Sequence, residues 1–385
     1  MFDLIFRSLT QRKMRTGLTI FGIALGIFAV VVMGGMSEHM NLVVDNSFKL
    51  MANDIQIEPD GKLGDGVGTL DESKIRQVKR VPGVSDAYGV LVTMLDPESG
   101  GMGLTGGDMI FGILPEKQMI DAKLTSGRYL VPGDGYKAVV GSSIARKFNL
   151  KVGDELEMKS KRLQRTSSIT NTRNVSVVGI LEYTGSFFDS SVQIPLDSAQ
   201  KFYKMENTVS YIYAEYSPGS DPSELAKRID LSVEKVKSTS PEELRKEMEG
   251  NLMIFGLITI SAAVLAAIIG GLSVMNTMLM SVSERTKEFG LLKALGAERK
   301  TILLMTMGEA ALMGVIGGIT GIAAGGLLTH FLNMSFEAQG SALFAITPRL
   351  VMIGLLFAIS LGMICGTYPA YRATKMSPME ALRYE

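Results

Sequence analysis

A compact charged segment at residues 283–300 lies between two long uncharged stretches, and its residue types suggest a mechanical contact rather than a catalytic site. Phe289, Leu292 and Leu295 recur every three residues, so a helix would carry them on one apolar face. The other faces would carry the charged side chains of Glu284, Arg285, Lys287, Glu288 and Lys293. We expect a short amphipathic helix over 284–298 whose apolar face is available to a groove on a soluble partner.

Both ends of this helix have suitable residues. Ser283 can cap its first turn, and Gly296 fits the position after its last turn, where a left-handed backbone is common. Leu291 flanks the apolar face, and a new helix would begin near Ala297. The segment would therefore connect two membrane helices. An interfacial helix that only stabilises the membrane domain is the alternative.

The sequence holds no motif for catalysis by this chain alone. It contains no Gly-x-x-x-x-Gly-Lys-Ser/Thr phosphate loop, no His-Glu-x-x-His and no Gly-x-Ser-x-Gly. Gly101-Met-Gly103-Leu-Thr-Gly106 matches a dinucleotide fingerprint, but it opens no evident helix, so we interpret it as a flexible loop. The 25 methionines suit packing better than copper binding. We expect no catalytic residue, metal or cofactor on this chain.

Four uncharged stretches are long enough to cross a membrane. They hold 22, 33, 20 and 22 residues and begin at Thr16, Asn251, Ala310 and Leu350. A helix needs roughly 20 apolar residues to span the hydrocarbon core. The first stretch lacks a small-residue cleavage site after its apolar part, so we expect an uncleaved anchor. The predicted membrane helices cover 16–37, 251–283, 299–330 and 350–371.

Among the short segments that flank these helices, lysine and arginine are concentrated on one side. They lie before the first helix, in the charged segment and after the last helix, whereas the loop 331–349 holds only Arg349. By the positive-inside rule, the amphipathic N-terminus 1–15, the segment 284–298 and the C-terminus 372–385 are cytoplasmic. Residues 38–250 then lie outside. They contain 26 basic and 31 acidic residues, and this balance gives no reason to expect that the protein binds nucleic acid. We expect a multi-pass protein of the inner or plasma membrane, in contact with its lipids.

The outer segment has the pattern of an α+β domain. A strand, a helix and a second strand are indicated within 50–95, and the same order recurs within 205–240. Two such units predict a split, ferredoxin-like sheet, with 96–204 as an inserted subdomain. The fold class is thus membrane α-helical, with four transmembrane helices plus an extracytoplasmic α+β domain.

A helix capped outside the membrane would lead into the second membrane helix. Ser240-Pro241-Glu242-Glu243 offers an N-cap, a proline at the first helical position and a glutamate three residues after the serine. The only weak helix former between this cap and residue 251 is Gly250. We expect a continuous stalk that starts near residue 241.

Glu309 is the one acidic residue expected deep within a membrane helix. A charge there is costly if it faces lipid, so it should face the bundle interior and find a hydrogen-bonding partner. No second acid lies within the spans, and His330 lies only where the third span meets the outer face, which favours a structural role over proton transport. Glycine pairs at 317–318 and 325–326 would allow close helix contact.

Taken together, these segments resemble the permeases of the MacB/FtsX family, the membrane subunits of type VII ABC transporters. The match extends over the charged segment and essentially the whole chain. In the membrane part it is carried by Arg12-Lys-Met-Arg-Thr-Gly, Glu309-Ala-Ala-Leu-Met-Gly and Tyr368-Pro-Ala-Tyr-Arg-Ala-Thr-Lys-Met-Ser-Pro-Met-Glu-Ala-Leu-Arg-Tyr384. Outside, Asn53-Asp-Ile, Gly127-Arg, Val140-Gly-Ser and Val177-Val-Gly-Ile-Leu resemble the family's outer domain, whose parts are called porter and sabre.

This resemblance implies a dimer of permease subunits, more readily a homodimer than a heterodimer, with two copies of a separate ABC ATPase. ATP and Mg would bind to that ATPase and not to this chain. Segment 284–298 would be the coupling helix, and the stalks would carry ATP-driven movement to the outer domain. A periplasmic adaptor is a further partner that some arrangements of this kind would use. Fused MacB proteins carry their ATPase on the same chain, whereas this sequence does not.

Two functions are compatible with these features. The first is an ATP-driven mechanotransmitting permease that exports or extracts amphiphilic peptides, lipoproteins or drugs. The second is an FtsX-like or sensor-type signalling module that regulates an extracytoplasmic hydrolase or a sensor kinase. The large insertion in the outer domain favours the first.

Overall fold

The computed structural model describes residues 13–51, 54–61, 68–96, 108–117, 120–164, 167–337 and 342–375. They form two compact units. One contains Met253–Leu332 with the chain before Met40 and after Leu343, and the other contains Met40–Leu252 and Asn333–Leu343. We call them the membrane unit and the outer unit.

The described chain alternates long helices with a block of short strands and helices. In chain order the elements are α1 (Lys13–Leu50), β1 (Ile55–Pro59), β2 (Leu70–Asp71), α2 (Ser73–Val78), β3 (Val84–Met94), β4 (Met109–Ile113), β5 (Leu124–Gly127), β6 (Lys137–Val140), α3 (Ser142–Lys147), β7 (Glu155–Gln164), β8 (Ser167–Leu181), a 3-10 turn (Phe187–Ser190), β9 (Ser191–Pro195) and α4 (Leu196–Tyr203). They continue as β10 (Thr208–Val209), β11 (Tyr211–Tyr216), α5 (Pro222–Ser232), β12 (Val236–Thr239), α6 (Pro241–Glu284), α7 (Thr286–Ala294), α8 (Arg299–Glu337) and α9 (Pro348–Lys375).

Helices α1, α6, α8 and α9 are each long and apolar enough to cross a membrane, which confirms the four predicted spans. Two of them continue well beyond the predicted membrane spans. Helix α1 runs on to Leu50 instead of ending near Ser37, and α6 begins at Pro241, where the stalk was predicted to start. Both extensions belong to the outer unit, so each of these helices is shared by the two units.

The four long helices share one apolar core in the membrane unit. Each contributes side chains from one face, as a bundle in lipid requires, because the opposite face must meet hydrocarbon. The buried residues of this core are Ile23, Ile27, Val31, Val274, Met278, Ala310, Met313 and Ala358.

Glycines let these helices approach closely. A Cβ added at Gly321 of α8 would lie 2.6 Å from the carbonyl oxygen of Ala24 in α1. One added at Gly362 of α9 would lie 2.5 Å from the carbonyl oxygen of Ala310 in α8. Close contact was also predicted at the two glycine pairs of α8. It is confirmed at Gly317, Gly318 and Gly325, where an added Cβ would come within 2.9 Å of a side chain on a neighbouring helix.

The first part of the outer sheet has the predicted split arrangement. Its strands lie in the order β12-β1-β11-β3 and are antiparallel at each junction. Helix α2 precedes β3, and α5 connects β11 to β12, so two β-α-β units interleave their strands. The outer unit is therefore the α+β domain that the sequence indicates.

The inserted subdomain continues the same sheet. Strand β3 pairs through Val84–Val90 with β11 and through Leu91–Met94 with β4. Beyond β4 the order is β9-β6-β8-β5, with β7 paired to β8, which makes a mixed sheet of ten strands in the described chain. The strands inserted between 96 and 204 thus extend the split sheet, because β3 is common to both parts.

Alternating side chains give this sheet two different faces. On one face, Leu91, Ile110, Ile194 and Ile212 are buried beneath α2 to α5. On the other, a smaller cluster contains Tyr88, Val90, Ile113, Val139 and Tyr213 and receives the outer end of α1 through Leu50 and Met51. Because successive side chains along a strand point to opposite faces of the sheet, the same strands contribute to both hydrophobic clusters.

Some predicted features lie outside the described residues. They are residues 1–12 of the N-terminal segment, the glycine-rich stretch 101–106, Asn53, and residues 376–385 of the closing motif.

Replacing Gly321 with leucine should lower the unfolding midpoint of the full chain in lipid nanodiscs. The new side chain has to displace backbone of α1, and overpacking of this kind costs about 1–3 kcal/mol. The matched control is Gly250→Ala in α6, where an added Cβ meets nothing within 4 Å. Alanine there should leave the midpoint unchanged or raise it. Equal midpoints for the leucine variant and the parent chain would contradict the close packing of α1 and α8.

Candidate functional site

Helix α7 follows α6 after a single non-helical residue. Arg285 occupies the N-cap position with φ −98° and ψ 20°, so the chain changes direction between Glu284 and Thr286. The Thr286 hydroxyl donates to the Ser283 carbonyl oxygen at 2.6 Å, within the last turn of α6. Ser283 is thus part of α6, and its prediction as the cap of the next helix is wrong. The helix itself spans Thr286–Ala294, shorter than the predicted 284–298.

The far end of α7 is closed by a backbone motif. Gly296 has φ +91°, its N–H donates to the Lys293 carbonyl oxygen at 3.0 Å, and the Ala297 N–H donates to Leu292 at 2.9 Å. This pair of bonds is the Schellman arrangement, in which glycine accepts the left-handed backbone without strain. The predicted role of Gly296 is confirmed.

The apolar side of α7 faces the membrane helices. Phe289 is only 3% exposed and packs with Val282 of α6, Ile302 of α8 and Ala373 of α9. Leu292 is half-buried against the same cluster. The expectation that Phe289 lies on a face available to a partner is therefore wrong, because the ends of three membrane helices already cover it. Burial of this ring fixes α7 to those ends.

A different stripe of α7 is exposed. Leu291 is 55% and Leu295 is 77% exposed, and Lys287 and Glu288 are exposed along the same side, while Glu284 is exposed at the end of α6. Their spacing of three or four residues places them in one row on a helical surface. Leu291 was not among the predicted contact residues, although its spacing of four from Leu295 could have indicated it. This exposed stripe lies on the side of α7 that the described membrane helices leave uncovered.

Arg285 links α7 to α8 through a buried acid. Its guanidinium donates to Glu309 of α8 at 2.6 Å and to Glu288 of α7 at 2.7 Å, and it lies 5.3 Å from the Phe289 ring. Glu309 is 5% exposed, so the expectation that it faces inward and has a partner is confirmed. Burial opposes the charge of Arg285, but its hydrogen bonds to Glu288 and Glu309 raise its pKa above the ordinary value. A buried pair of this kind is strongly sensitive to the loss of one member.

Lys293 provides a further tie. Its ammonium donates to the Thr374 carbonyl oxygen near the end of α9 at 2.6 Å. Burial lowers the pKa of Lys293, which is consistent with its position against the helix ends. Helix α7 is thus held by α8 through Arg285 and by α9 through Lys293. It would have to move together with these helices.

The outer end of α6 is closed by the predicted capping box. The Ser240 N–H donates to the Glu243 carboxylate at 3.2 Å, and the Glu243 N–H donates to the Ser240 hydroxyl at 3.3 Å. Ser240 directly follows β12, so α6 is fastened to the edge of the split sheet. The helix from this cap to Glu284 has 44 residues.

The outer end of α1 is attached elsewhere. The Asn46 amide donates to the Thr184 carbonyl oxygen at 3.1 Å, and the Phe187 N–H donates to the Ser47 hydroxyl at 3.1 Å. These partners precede β9, within the inserted strands. Between the helices, Arg245 lies 3.3 Å from Asp45, but both side chains are exposed and the pair contributes little. The two stalk helices thus connect to different parts of one sheet.

Comparison with known families agrees with this architecture. The sequence matches the MacB-like periplasmic core domain over residues 16–231 and the FtsX-like permease C-terminal domain over residues 260–378. The chain belongs to the MacB/FtsX family of ABC transporter permeases. With its four apolar helices it is a membrane protein.

Several curated relatives align along nearly all of the chain. It is 28% identical to the uncharacterized ABC transporter permease MJ1507 of Methanocaldococcus jannaschii, with 99% of this chain and 96% of that protein covered. It is 25% identical to the uncharacterized ABC transporter permease YvrN of Bacillus subtilis, with 99% and 98% covered. It is 26% identical to the macrolide export ATP-binding/permease protein MacB of Bdellovibrio bacteriovorus, but spans only 61% of that protein's length.

Solved structures that resemble this permease cover its outer part. The periplasmic region of MacB from Actinobacillus actinomycetemcomitans is 14% identical, with a TM-score of 0.37, and the match covers 52% of this chain and 94% of that one. The extracellular domain of the transporter YknZ from Gram-positive bacteria is also 14% identical, with a TM-score of 0.35, and covers 49% of this chain.

Replacing Arg285 with methionine should destabilise the full chain by about 3–5 kcal/mol, because Glu309 would keep a buried charge without a partner. Adding Glu309→Gln to that variant should restore most of the loss. The unfolding midpoint in lipid nanodiscs measures both effects.

The control for this test is Arg245→Met, which removes an exposed arginine from Asp45 and Glu249. Its cost should stay below about 1 kcal/mol. If Arg245→Met and Arg285→Met were equally harmful, the pair with Glu309 would not be an anchor of α7.

Proposed function

We propose that this permease is the membrane subunit of an ATP-driven transporter, in which a separate ATPase drives movements of the outer unit. The observation that carries this proposal is α7 itself. It is a short helix between α6 and α8, tied to the ends of α6, α8 and α9 by Phe289, Arg285 and Lys293, with a separate stripe left exposed. A helix that only stabilised the membrane unit would need the tied side but not exposed leucines in a row.

The exposed stripe would dock in a cleft of the ATPase. Leu291 and Leu295 would supply apolar contact, and Glu284, Lys287 and Glu288 would set orientation through charge. Two ATPase copies, carrying ATP and Mg, would serve two permease subunits, with a homodimer as the simplest assembly. By the positive-inside rule, α7 and both termini would be cytoplasmic and the outer unit would lie beyond the inner or plasma membrane.

Movement would pass along the long helices. Helix α6 is continuous for 44 residues, about 66 Å at 1.5 Å per residue, from the neighbourhood of α7 to the capping box at Ser240. A helix without a break transmits displacement along its axis because its hydrogen bonds resist compression. The outer unit would therefore receive at β12 a displacement that begins when the ATPase closes or opens.

The substrates would be amphiphilic compounds such as peptides, lipoproteins or drugs, exported or extracted without a channel through the membrane. The outer unit is large, and ten strands of its described part form one sheet. Both features favour a transport role over the regulation of a hydrolase or a sensor kinase. The relative from Bdellovibrio bacteriovorus is named as a macrolide export ATP-binding/permease protein, and this supports an export role for the present permease. A periplasmic adaptor would complete the assembly where an outer membrane is present.

The double variant Leu291→Asp/Leu295→Asp should uncouple the ATPase while the permease stays folded. Both side chains are exposed, so the new charges disturb only the docking surface. The expected result is at least a tenfold loss of permease-stimulated ATP hydrolysis and of co-purification with the ATPase, consistent with the loss of two apolar anchors. The measurement uses the permease and its ATPase reconstituted together in nanodiscs.

Two controls separate docking from folding. Leu231→Asp changes an exposed leucine of the outer unit and should leave stimulation unchanged. Phe289→Ala should instead lower the unfolding midpoint, because it removes a buried ring at a cost of about 3–5 kcal/mol. Normal stimulation and co-purification in the double leucine variant would refute the docking surface.

A further inference from the structure

Helix α6 is the least covered of the four membrane helices. Only 6% of its most apolar stretch is buried, whereas the corresponding share in α1, α8 and α9 is 28–33%. Its buried side chains, among them Val274 and Met278, lie on the face that packs in the core of the membrane unit. The opposite face is exposed and consists mainly of large aliphatic side chains. Lipid tails alone could cover such a face, so its apolar character by itself identifies no partner.

Residues on this exposed face follow one another at alternating intervals of four and three. They form a row that we call the α6 seam, and it consists of Ile258, Ala262, Leu265, Ile269, Leu272 and Asn276. Its four large aliphatic side chains are each between 50% and 61% exposed. Two residues advance a helix by about 200°, so Val274 points away from the seam toward the core. Such a repeat of 3.5 residues keeps one row of side chains in contact with a second helix that crosses at about 20°.

Asn276 is the polar exception in the α6 seam. It lies eight residues, about 12 Å, before the end of α6 at Glu284, within the uncharged stretch of the helix. Its side chain is exposed and makes no hydrogen bond to any residue that the structure describes. By contrast, the next residue, Thr277, is buried, and its hydroxyl lies 2.5 Å from that of Thr19 in α1. An amide that faces hydrocarbon without a hydrogen bond is costly, so Asn276 needs a partner that these residues do not provide.

A second copy of this chain has the chemistry that Asn276 lacks. Two copies inserted in the same direction have parallel α6 helices, so each residue of the seam meets the same residue of the other copy at the same depth. A carboxamide both donates and accepts, and two of them therefore complete each other's hydrogen bonds. A lipid tail offers neither donor nor acceptor. A single asparagine in an apolar heptad row also fixes the register and the number of helices that associate.

We propose that the α6 seam is the membrane interface between two copies of this permease, in which Asn276 forms a hydrogen bond with Asn276 of the partner subunit. Leu265, Ile269 and Leu272 would pack between the two helices. This interface rests on the two-subunit assembly proposed above, but it involves neither the ATPase nor a substrate. The amide pair would join the two copies on the half of α6 that leads to α7.

Energy transfer between donor- and acceptor-labelled copies of the full chain in lipid vesicles measures this association without an ATPase. Asn276→Leu should raise the dissociation constant about three- to thirtyfold, as expected for one hydrogen bond between membrane helices. Asn276→Gln keeps the carboxamide and should lose less. The matched control is Thr320→Leu in α8, where an exposed hydroxyl donates to the Ile316 carbonyl oxygen of its own helix at 2.9 Å. This variant should associate like the parent chain.

Cysteine cross-linking locates the contact on α6. In a Cys365→Ala background, Leu265→Cys lies in the α6 seam, whereas Ile260→Cys lies outside it, although both native side chains are 61% exposed. Oxidation in vesicles should link two copies through Leu265→Cys at least about tenfold more than through Ile260→Cys, because a disulfide forms only between closely spaced Cα atoms. Circular dichroism should show the helix content of the parent chain in every variant, which excludes unfolding as the cause.

Three results would overturn the proposal. The first is a parent chain that stays monomeric in vesicles, and the second is equal association of Asn276→Leu and the parent chain. The third is equal cross-linking at the two cysteine positions. None of them would affect the docking of α7 to an ATPase, and a failure of that docking would leave the α6 seam unaffected.

Discussion

The buried carboxylate of Glu309 is the constraint on which the end of the membrane unit that carries α7 depends. A charge within a helical bundle remains there only if an opposite charge and good hydrogen bonds accompany it. Arg285 supplies both, and because it is the residue between α6 and α7, its position sets where α7 begins. The ion pair therefore determines more than local stability. It fixes α7 to the third membrane helix.

The division of α7 into two sides follows from this anchor. Once Arg285 reaches Glu309, the helix presents Phe289 to the ends of α6, α8 and α9, and the row with Leu291 and Leu295 turns away from them. An amphipathic period predicts that one side of a helix is apolar. It cannot tell which apolar surface will cover that side, since the ends of membrane helices and a groove on a partner are chemically alike. The helix was thus predictable from the sequence, but the direction of its faces was not.

The same distinction applies to the rest of the fold. Features set by neighbouring residues were predicted well, among them the four membrane helices, the capping box at Ser240 and the left-handed Gly296. Features set by partners elsewhere in the fold were predicted less well. The repeated β-α-β pattern indicated the split order that places β3 beside β11, but not the further pairing of β3 with β4, because a strand pattern contains no information about its neighbours.

The continuity of β3 has a mechanical consequence for the outer unit. Helix α6 is fastened to β12 at one edge of the sheet, whereas α1 is fastened beside β9 in the inserted strands. If α1 and α6 slide past each other, the two displacements act at separated places on a single hydrogen-bonded surface. Such a surface cannot open like a hinge without breaking the ladder at β3, but β-sheets twist easily. Axial sliding of two helices would thus become torsion of one sheet.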